Sequence, residues 1–197
     1  MVAQQHRLRG GFRLRTLIDQ IEGSLGSGFY YLSLFGALAL PDIAGALESE
    51  SGKASGKKYI DWYEKWVRPR FLENTLSMIP EQARLHMGDL RSPLSGEDCY
   101  YFRCSLLHQG SSQHPKGDFA RIIFLEPGST TNVFHHTQIK DALAIDLSLF
   151  CREVTSGAIR WLEAVEESPR YKQNYERFAR RHAEGLAPYI GGVPVVG

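Results

Sequence analysis

An arginine and a histidine stand five positions apart in a largely apolar segment near the middle of the chain. The segment runs from Ser95 to Gly110 and reads SGEDCYYFRCSLLHQG. Ser95 is predicted to cap the start of a helix, and Gly110 is predicted to end it. Arg103 and His108 then lie on one short helix, with His108 in its last turn. A guanidinium binds phosphate oxygens through paired donors and an imidazole transfers protons, so this pair suits cleavage of a phosphodiester.

The chemistry that these two side chains favour is cleavage of RNA without a metal ion. Such cleavage needs a group that deprotonates the ribose 2'-hydroxyl or protonates the leaving 5'-oxygen, and a cation that stabilises charge on the phosphate. We assign the first role to His108 and the second to Arg103, with a 2',3'-cyclic phosphate as product. Tyr101 and Gln109 are predicted to hold the substrate or to orient the imidazole. In the structural alternative, Arg103 pairs with an acid such as Glu97, and His108 caps carbonyls at its own helix end.

The order Arg103, four intervening residues, His108 resembles the signature of the HEPN superfamily, helical proteins of which many are metal-independent RNases or RNase toxins. The resemblance implies a mainly α fold, a HEPN-like helical bundle, and a homodimer whose two motif helices meet at a shared cleft. It also implies RNA as substrate, no cofactor, and an antitoxin or regulatory protein as partner. A second pair with this spacing, Arg177 and His182, lies in a polar, basic segment rather than in one with a buried pattern.

The residue directly after the motif arginine departs from the family pattern. Many catalytic members carry Asn, Asp or His there, whereas this chain carries Cys104. The sequence therefore leaves two functions open. One is a metal-independent endoribonuclease or RNase toxin-like effector. The other is a non-catalytic HEPN-like binding or regulatory module that holds a nucleotide or a protein partner.

The length and charge of the chain limit these functions further. Its 197 residues suffice for one sizeable core, and we predict a single helical domain over residues 1–197. A formal net charge of +1 excludes a global field that attracts nucleic acid, so an RNA-binding surface must be local or formed by dimerisation. Three cysteines without a short-spaced pair are typical of free thiols in a reducing compartment. With no apolar signal region near the start, they favour a cytoplasmic protein.

Helices are predicted for most of the chain. Residues 1–15 form a basic segment with four Arg and no acid, interpreted as a surface segment or as an arm that contacts phosphates. Residues 29–47 are apolar over almost the length of a membrane span, but they contain Asp42 and are interpreted as the central helix of a soluble bundle. Pro41 is expected to kink or restart this helix. Aromatic residues from Tyr59 to Phe71 follow the helix period, which favours core packing over stacking on bases.

One accessory β-hairpin is predicted among the helices in the second half of the chain. Residues 119–139 have strand composition on both sides of the turn sequence PGSTT. Residues 142–167 show the clearest helical periodicity of the chain, with Asp141 as the predicted N-cap. A last helix is predicted over residues 170–185, followed by a Pro- and Gly-rich tail that is not helical.

A zinc site is an alternative interpretation of the motif region. Cys104 and His108 have the spacing of metal ligands on a helix, and His114, His135 and His136 lie in neighbouring segments. Because no short-spaced pair of cysteines anchors this set, we predict no metal site. His135 and His136 are adjacent in a predicted strand, where successive side chains alternate, so at most one of them is expected to point inward.

Overall fold

The computed structural model describes residues 12–78, 81–84, 94–131 and 134–197, which are mainly helical with a few small strands. The helices are α1 (Phe12–Gly26), α2 (Tyr30–Leu47), α3 (Gly56–Trp66), α4 (Arg68–Met78), α5 (Glu81–Arg84), α6 (Gly96–Gln109), α7 (Leu147–Val165) and α8 (Pro169–Tyr175). The strands are β1 (Arg121–Leu125), β2 (Thr137–Ile139), β3 (Ala142–Asp146), β4 (Arg181–His182), β5 (Gly185–Leu186), β6 (Ile190–Gly191) and β7 (Val195–Val196). Most of the basic segment predicted over residues 1–15 lies outside the described residues.

Helix α2 packs against α1, α3 and α7. Small residues allow this close approach: a Cβ atom at Gly36 would lie 2.6 Å from Cγ1 of Ile21 in α1. On another side, a Cβ atom at Gly45 would lie 3.0 Å from Cβ of Lys58 in α3. Pro41 is buried within α2, and the helix continues past it, so the chain does not restart a helix there. Packing against three helices stabilises α2 despite the backbone hydrogen bond that proline removes.

By length and composition, α2 is also the one helix of the described residues that could cross a membrane. Its 18 residues have a mean hydropathy of 1.3, and half of them are buried inside the protein. A core helix of a soluble protein has the same properties. The packing of α2 against three other helices therefore agrees with its interpretation as a central helix of a bundle.

The aromatic residues of α3 pack into the core, as their helical spacing predicts. Tyr59, Trp62 and Tyr63 are all buried. The rings of Trp62 and Trp161 meet edge to face, with 6.2 Å between their centroids, and this contact joins α3 to α7. Gly157 of α7 permits a close approach to the end of α3, since a Cβ atom there would lie 2.6 Å from the carbonyl oxygen of Trp66.

The three strands between α6 and α7 form one sheet in the order β1, β3, β2. β1 pairs with β3 in parallel, with Arg121 opposite Ala142 and Leu125 opposite Asp146. β2 pairs with β3 in antiparallel orientation. The hairpin predicted over residues 119–139 is therefore wrong, because β3 lies between its two strands. The antiparallel hairpin of this sheet consists of β2 and β3.

The helix predicted over residues 142–167 begins too early. Residues 142–145 are all buried, as expected for the central strand of a sheet. A continuous run of buried apolar residues fits a strand and a helix equally well, so periodicity does not separate β3 from α7. The N-cap of α7 is Asp146, whose side chain accepts from the backbone N–H of Leu149 at 2.9 Å, rather than the predicted Asp141.

The helix predicted over residues 170–185 is shorter in the structure. α8 ends at Tyr175, and the chain beyond it forms two small antiparallel pairs, β4 with β7 and β5 with β6. Asn174, in the last turn of α8, is buried, and its Nδ2 donates to the carbonyl oxygens of Leu47 at 2.9 Å and Ser49 at 2.7 Å. These bonds satisfy carbonyl groups near the end of α2, where helical partners run out.

Replacing Asn174 by Ala is expected to lower the free energy of unfolding by about 1–3 kcal/mol, because buried carbonyl groups lose their donor. Denaturation by guanidinium chloride, followed by far-UV circular dichroism, measures the change. Gln173→Ala is the matched control, since Gln173 lies in the same helix with an exposed side chain. Equal stability of the two variants would contradict the structural role of Asn174.

Candidate functional site

Helix α6 carries the Arg–His motif and has the two ends that the sequence predicts. Ser95 is its N-cap, and the Ser95 hydroxyl accepts from the backbone N–H of Asp98 at 3.0 Å. Gly110 ends the helix with a φ of 66°, a left-handed conformation that glycine adopts without strain. His108 therefore lies in the last turn, next to the point where the chain leaves the helix.

The side chains of Arg103 and His108 meet beside α6. Nη1 of Arg103 lies 2.9 Å from Nε2 of His108. Residues five positions apart are about 140° apart around a helix, and the long arginine side chain spans this gap. His108 is exposed, whereas only 19% of the Arg103 side chain is exposed. The contact thus joins a mostly buried guanidinium to an imidazole that faces solvent.

This contact determines which nitrogen of His108 accepts a hydrogen bond. A guanidinium offers donors and no acceptor, so Nε2 of His108 must be the acceptor of the 2.9 Å bond. The ring proton then lies on Nδ1. Nε2 is therefore the nitrogen that carries no proton. It can take a proton once another acceptor replaces it in the hydrogen bond from Arg103.

Asp42 of α2 completes the site. Nη2 of Arg103 lies 2.6 Å from Oδ2 of Asp42, and 19% of the Asp42 side chain is exposed. Burial raises the pKa of Asp42, and the nearby Arg103 and His108 oppose this increase only in part. Burial also disfavours the charge on Arg103, but Asp42 and the Cys104 thiol outweigh it and raise the pKa of Arg103. The charged guanidinium is thus held between a carboxyl group and an imidazole.

Asp42 is a site residue to which the sequence-based prediction gives no role. One signal in the sequence points to it, because a lone acid within an 18-residue apolar helix needs a cationic partner when it is buried. The structural alternative for Arg103, a pair with Glu97 or another acid, is met. Arg103 does pair with an acid, but the acid is Asp42 and not Glu97.

Cys104, which directly follows Arg103, lies beside the guanidinium. Its Sγ is 3.9 Å from Nη1 of Arg103. The thiol also hydrogen-bonds Tyr100, and this bond together with burial raises the pKa of Tyr100. Cys104 is therefore a weakly polar neighbour of the catalytic candidate.

Of the two predicted substrate-positioning residues, Tyr101 is not brought to the Arg–His pair. Its hydroxyl donates to Oε1 of Glu97 at 2.7 Å, and its ring stacks on that of His114 with 4.6 Å between centroids. Two positions along a helix correspond to about 200°, so Tyr101 and Arg103 project from different sides of α6. Gln109 is exposed and directly follows His108, as the last residue of α6.

The zinc ligands considered from the sequence do not assemble as one set. His108 contacts Arg103, and His114 stacks on Tyr101. Among the residues that the structure describes, His135, His136 and Glu153 form the group with the spacing of metal ligands, and one ligand atom from each lies within 4.8 Å of the others. Glu153 belongs to α7 and is not one of the candidate ligands that the sequence suggests.

Both histidines of this group point inward. Only 9% of the His135 side chain and 8% of His136 are exposed. The prediction that at most one faces inward is wrong, because His136 has a φ of 53° and precedes β2, so the alternation of a regular strand does not apply. Burial, with His135 and Arg68 nearby, lowers the pKa of His136 to about 2.

The N-terminal half of α2 and the residue before it expose an apolar surface, here called the α2 apolar surface. It consists of Phe29, Tyr31, Leu32 and Phe35, which are 60%, 74%, 63% and 37% exposed. Tyr31 and Phe35 contact each other edge to face, with 6.2 Å between ring centroids. Tyr31, Phe35 and Asp42 share one side of the helix, since four and seven positions are close to whole numbers of turns. Two residues of the α2 apolar surface, Tyr31 and Phe35, are therefore on the side of α2 that reaches Arg103.

A groove lies between α2 and the end of α6. It has a volume of about 340 Å³, and its lining includes Tyr30, Tyr31, Phe102, Leu106 and Phe124. Gly110, at the end of the motif helix, also borders it. Aromatic and apolar walls of this kind suit a flat ring such as a nucleobase.

The fold and the site define a mainly helical protein with an Arg–His pair at the end of one helix and an acid from a neighbouring apolar helix. Comparison with protein-family models finds no match to this chain. Comparisons with curated proteins and with solved structures find no match either. The resemblance to the HEPN superfamily therefore stays a prediction from the spacing of Arg103 and His108.

Proposed function

We propose that this protein is a metal-independent endoribonuclease of HEPN-like type, an RNase toxin-like effector that acts in the cytoplasm. The observation that carries the proposal is the 2.9 Å contact between Nη1 of Arg103 and Nε2 of His108. A charged phosphate oxygen is a stronger acceptor than an imidazole, so an RNA phosphate can replace Nε2 as the partner of Nη1. Substrate binding then frees Nε2 beside the phosphate, where a base is needed.

The positions of Arg103 and His108 define the steps of the proposed reaction. Nε2 of His108 takes the proton of the ribose 2'-hydroxyl, and the 2'-oxygen attacks the phosphorus. Arg103 stabilises the negative charge that develops on the phosphate. The bond between phosphorus and the 5'-oxygen breaks, and this oxygen takes a proton from a general acid, a role for the protonated His108 of a second copy. The products are a 2',3'-cyclic phosphate and a 5'-hydroxyl.

A homodimer supports this chemistry. The α2 apolar surface is a candidate for its interface, because contiguous exposed apolar patches commonly mark sites of protein association. Its position on the Asp42 side of α2 would bring two motif helices toward one cleft. Two copies also double the cationic groups around one RNA strand, which a single chain of net charge +1 supplies poorly. An antitoxin or regulatory protein is the further partner in this proposal.

Replacing Tyr31 and Leu32 together by Glu is expected to convert the dimer to a monomer, because four buried charges would face one another across the interface. Light scattering coupled to size-exclusion chromatography measures the mass. Tyr189→Glu is the matched control, since Tyr189 is 84% exposed outside the α2 apolar surface. A double variant that keeps the dimer mass excludes the α2 apolar surface as the interface.

One observation favours the second candidate function, a non-catalytic binding or regulatory module. Asp42 already pairs with Arg103 at 2.6 Å and offsets part of the charge that a phosphate would meet. The 340 Å³ groove beside α6 could then hold the base of a nucleotide without any chemistry. Binding without cleavage distinguishes this function from the first.

Incubation of RNA with the purified protein in excess EDTA tests the proposed function. We expect cleavage to continue, and mass spectrometry of the fragments to show 2',3'-cyclic phosphate ends. Fragments with 5'-phosphate ends exclude attack by the 2'-oxygen with His108 as the base. Cleavage that stops on chelation while the far-UV spectrum of the protein is unchanged excludes a metal-independent reaction. RNA or nucleotide that binds and stays intact supports the binding module instead.

A further inference from the structure

The group formed by His135, His136 and Glu153 has the composition of a zinc site. Two imidazole nitrogens and one carboxylate oxygen are a ligand set that zinc takes in proteins, with a fourth position left for water. In tetrahedral coordination with bonds of about 2.0–2.2 Å, the ligand atoms are about 3.3–3.6 Å apart. Nε2 of His135 and Oε1 of Glu153 are already 3.3 Å apart, and all three ligand atoms lie within 4.8 Å of one another.

The burial of Glu153 also points to a cation. Glu153 is only 3% exposed on α7, and a buried carboxylate is costly unless strong partners compensate its charge. Its Oε1 accepts from Nδ2 of Asn74 at 3.4 Å and contacts His135 at 3.3 Å. Both contacts are longer than a good hydrogen bond. A divalent ion would compensate this carboxylate better than these neighbours do.

The two imidazoles are held in place by packing and by an uncommon backbone conformation. The ring of Phe71 stacks on His136, with 4.3 Å between centroids and 8° between planes. A φ of 53° is unfavourable for a residue other than glycine, and such conformations concentrate at functional sites. Nδ1 of His135 is buried without a hydrogen-bond partner among the described residues. The nitrogen that faces Glu153 and would bind the ion is Nε2, so an ordered water is the partner that suits Nδ1.

Arg68 is a nearby cation that acts on His136 electrostatically. Nη1 of Arg68 donates to both carboxylate oxygens of Glu64, at 3.0 Å and 2.8 Å. The charge of Arg68 is thus compensated by its own acid one turn earlier in sequence. Glu153 instead contacts Asn74 and His135, at 3.4 Å and 3.3 Å.

From this geometry we propose that His135, His136 and Glu153 bind one divalent transition-metal ion of the zinc class. Such an ion would connect the segment before β2 to α7 and would leave one coordination position for water. The role is structural in the first instance, since one ion would join ligands from two separate elements of the fold. The proposal is independent of the ribonuclease, whose mechanism uses no metal.

Zinc binding by the untagged, full-length protein tests this proposal. The protein is stripped with a chelator, dialysed and titrated with zinc chloride in a calorimeter, and its melting temperature is measured with and without zinc. We expect one zinc per chain and a higher melting temperature on binding. Glu153→Gln and His135→Ala are expected to weaken binding by at least about 100-fold, because each removes a direct ligand. His114→Ala and His182→Ala are the matched controls and should bind like the wild type.

The result that overturns the proposal is a folded wild-type protein that binds no zinc. Unchanged affinity in His135→Ala, with the far-UV spectrum of the wild type, overturns it equally. If Glu153→Gln does not fold, His135→Ala decides the question, since His135 lies in a loop outside the helices. RNA cleavage in excess EDTA is measured separately, so a failure of zinc binding and a failure of the ribonuclease proposal are distinguishable.

Discussion

Replacing His108 by Ala is expected to lower the rate of RNA cleavage by about 10²- to 10⁴-fold, the usual contribution of a general acid or base. The folded structure should persist, because His108 is exposed in the last turn of α6. Single-turnover cleavage of a fluorescent oligonucleotide in excess EDTA measures the rate. Far-UV circular dichroism and the melting temperature verify that the variant is folded.

His182→Ala is the matched control for this variant. Arg177 and His182 have the same sequence spacing as the motif pair, but the contact of Nε2 of His182 is with the carbonyl oxygen of Gly197, at 3.2 Å. We expect this variant to cleave at the wild-type rate. Undiminished cleavage by folded His108→Ala removes His108 from the mechanism. A similar loss in both variants means that the assay does not report on the Arg–His pair.

The candidate site depends on α2, a helix whose apolar sequence identifies it mainly as part of the core. α2 supplies small residues that let α1 and α3 approach, and the same helix supplies Asp42 to Arg103. An apolar helix fixed between three neighbours holds that carboxyl group in place more firmly than a loop does. Two helices thus fix the position of Arg103: α6, which carries it, and α2, which supplies its partner Asp42.

Local signals in the sequence are sufficient to predict the two ends of the motif helix, α6. Its N-cap Ser95 and its terminal Gly110 act through contacts within a few residues, and such contacts are readable from sequence. The partner of Arg103 is not local, since Asp42 is 61 positions away and lies on another helix. Spacing along one helix predicts which side chains of that helix lie near each other. The contact between α2 and α6 depends instead on how the whole chain folds.

The errors in the second half of the chain have two physical causes. Strands β1 and β2 have the composition of a hairpin, but composition does not encode pairing, and the buried β3 separates them. The run Ala142 to Ile145 is apolar throughout because a central strand is buried on both faces, so it merges with the pattern of α7. The inward orientation of both His135 and His136 depends on one positive φ, which no alternating pattern predicts.

Replacing Trp161 by Ala is expected to lower the free energy of unfolding by about 3–5 kcal/mol, as for other large core aromatics. Trp161 is fully buried on α7 and contacts the rings of Trp62 and Tyr171, so its removal leaves a cavity where α3, α7 and α8 meet. A loss of this size is a large part of the roughly 5–15 kcal/mol that stabilises a typical domain. Guanidinium denaturation followed by far-UV circular dichroism measures it without relying on tryptophan fluorescence.

The variant Trp161→Phe distinguishes the contribution of the aromatic ring to stability from that of the indole N–H group. Nε1 of Trp161 donates to Oε2 of Glu48 at 2.6 Å, which joins α7 to the residue after α2. Phe keeps much of the apolar volume and loses this bond, and Glu48 is exposed so that water can replace the donor. We therefore expect a loss of about 1–2 kcal/mol from the hydrogen bond and the smaller ring. If Phe and Ala cost the same, the hydrogen bond to Glu48 contributes more than the packing of the ring to holding α7 in place.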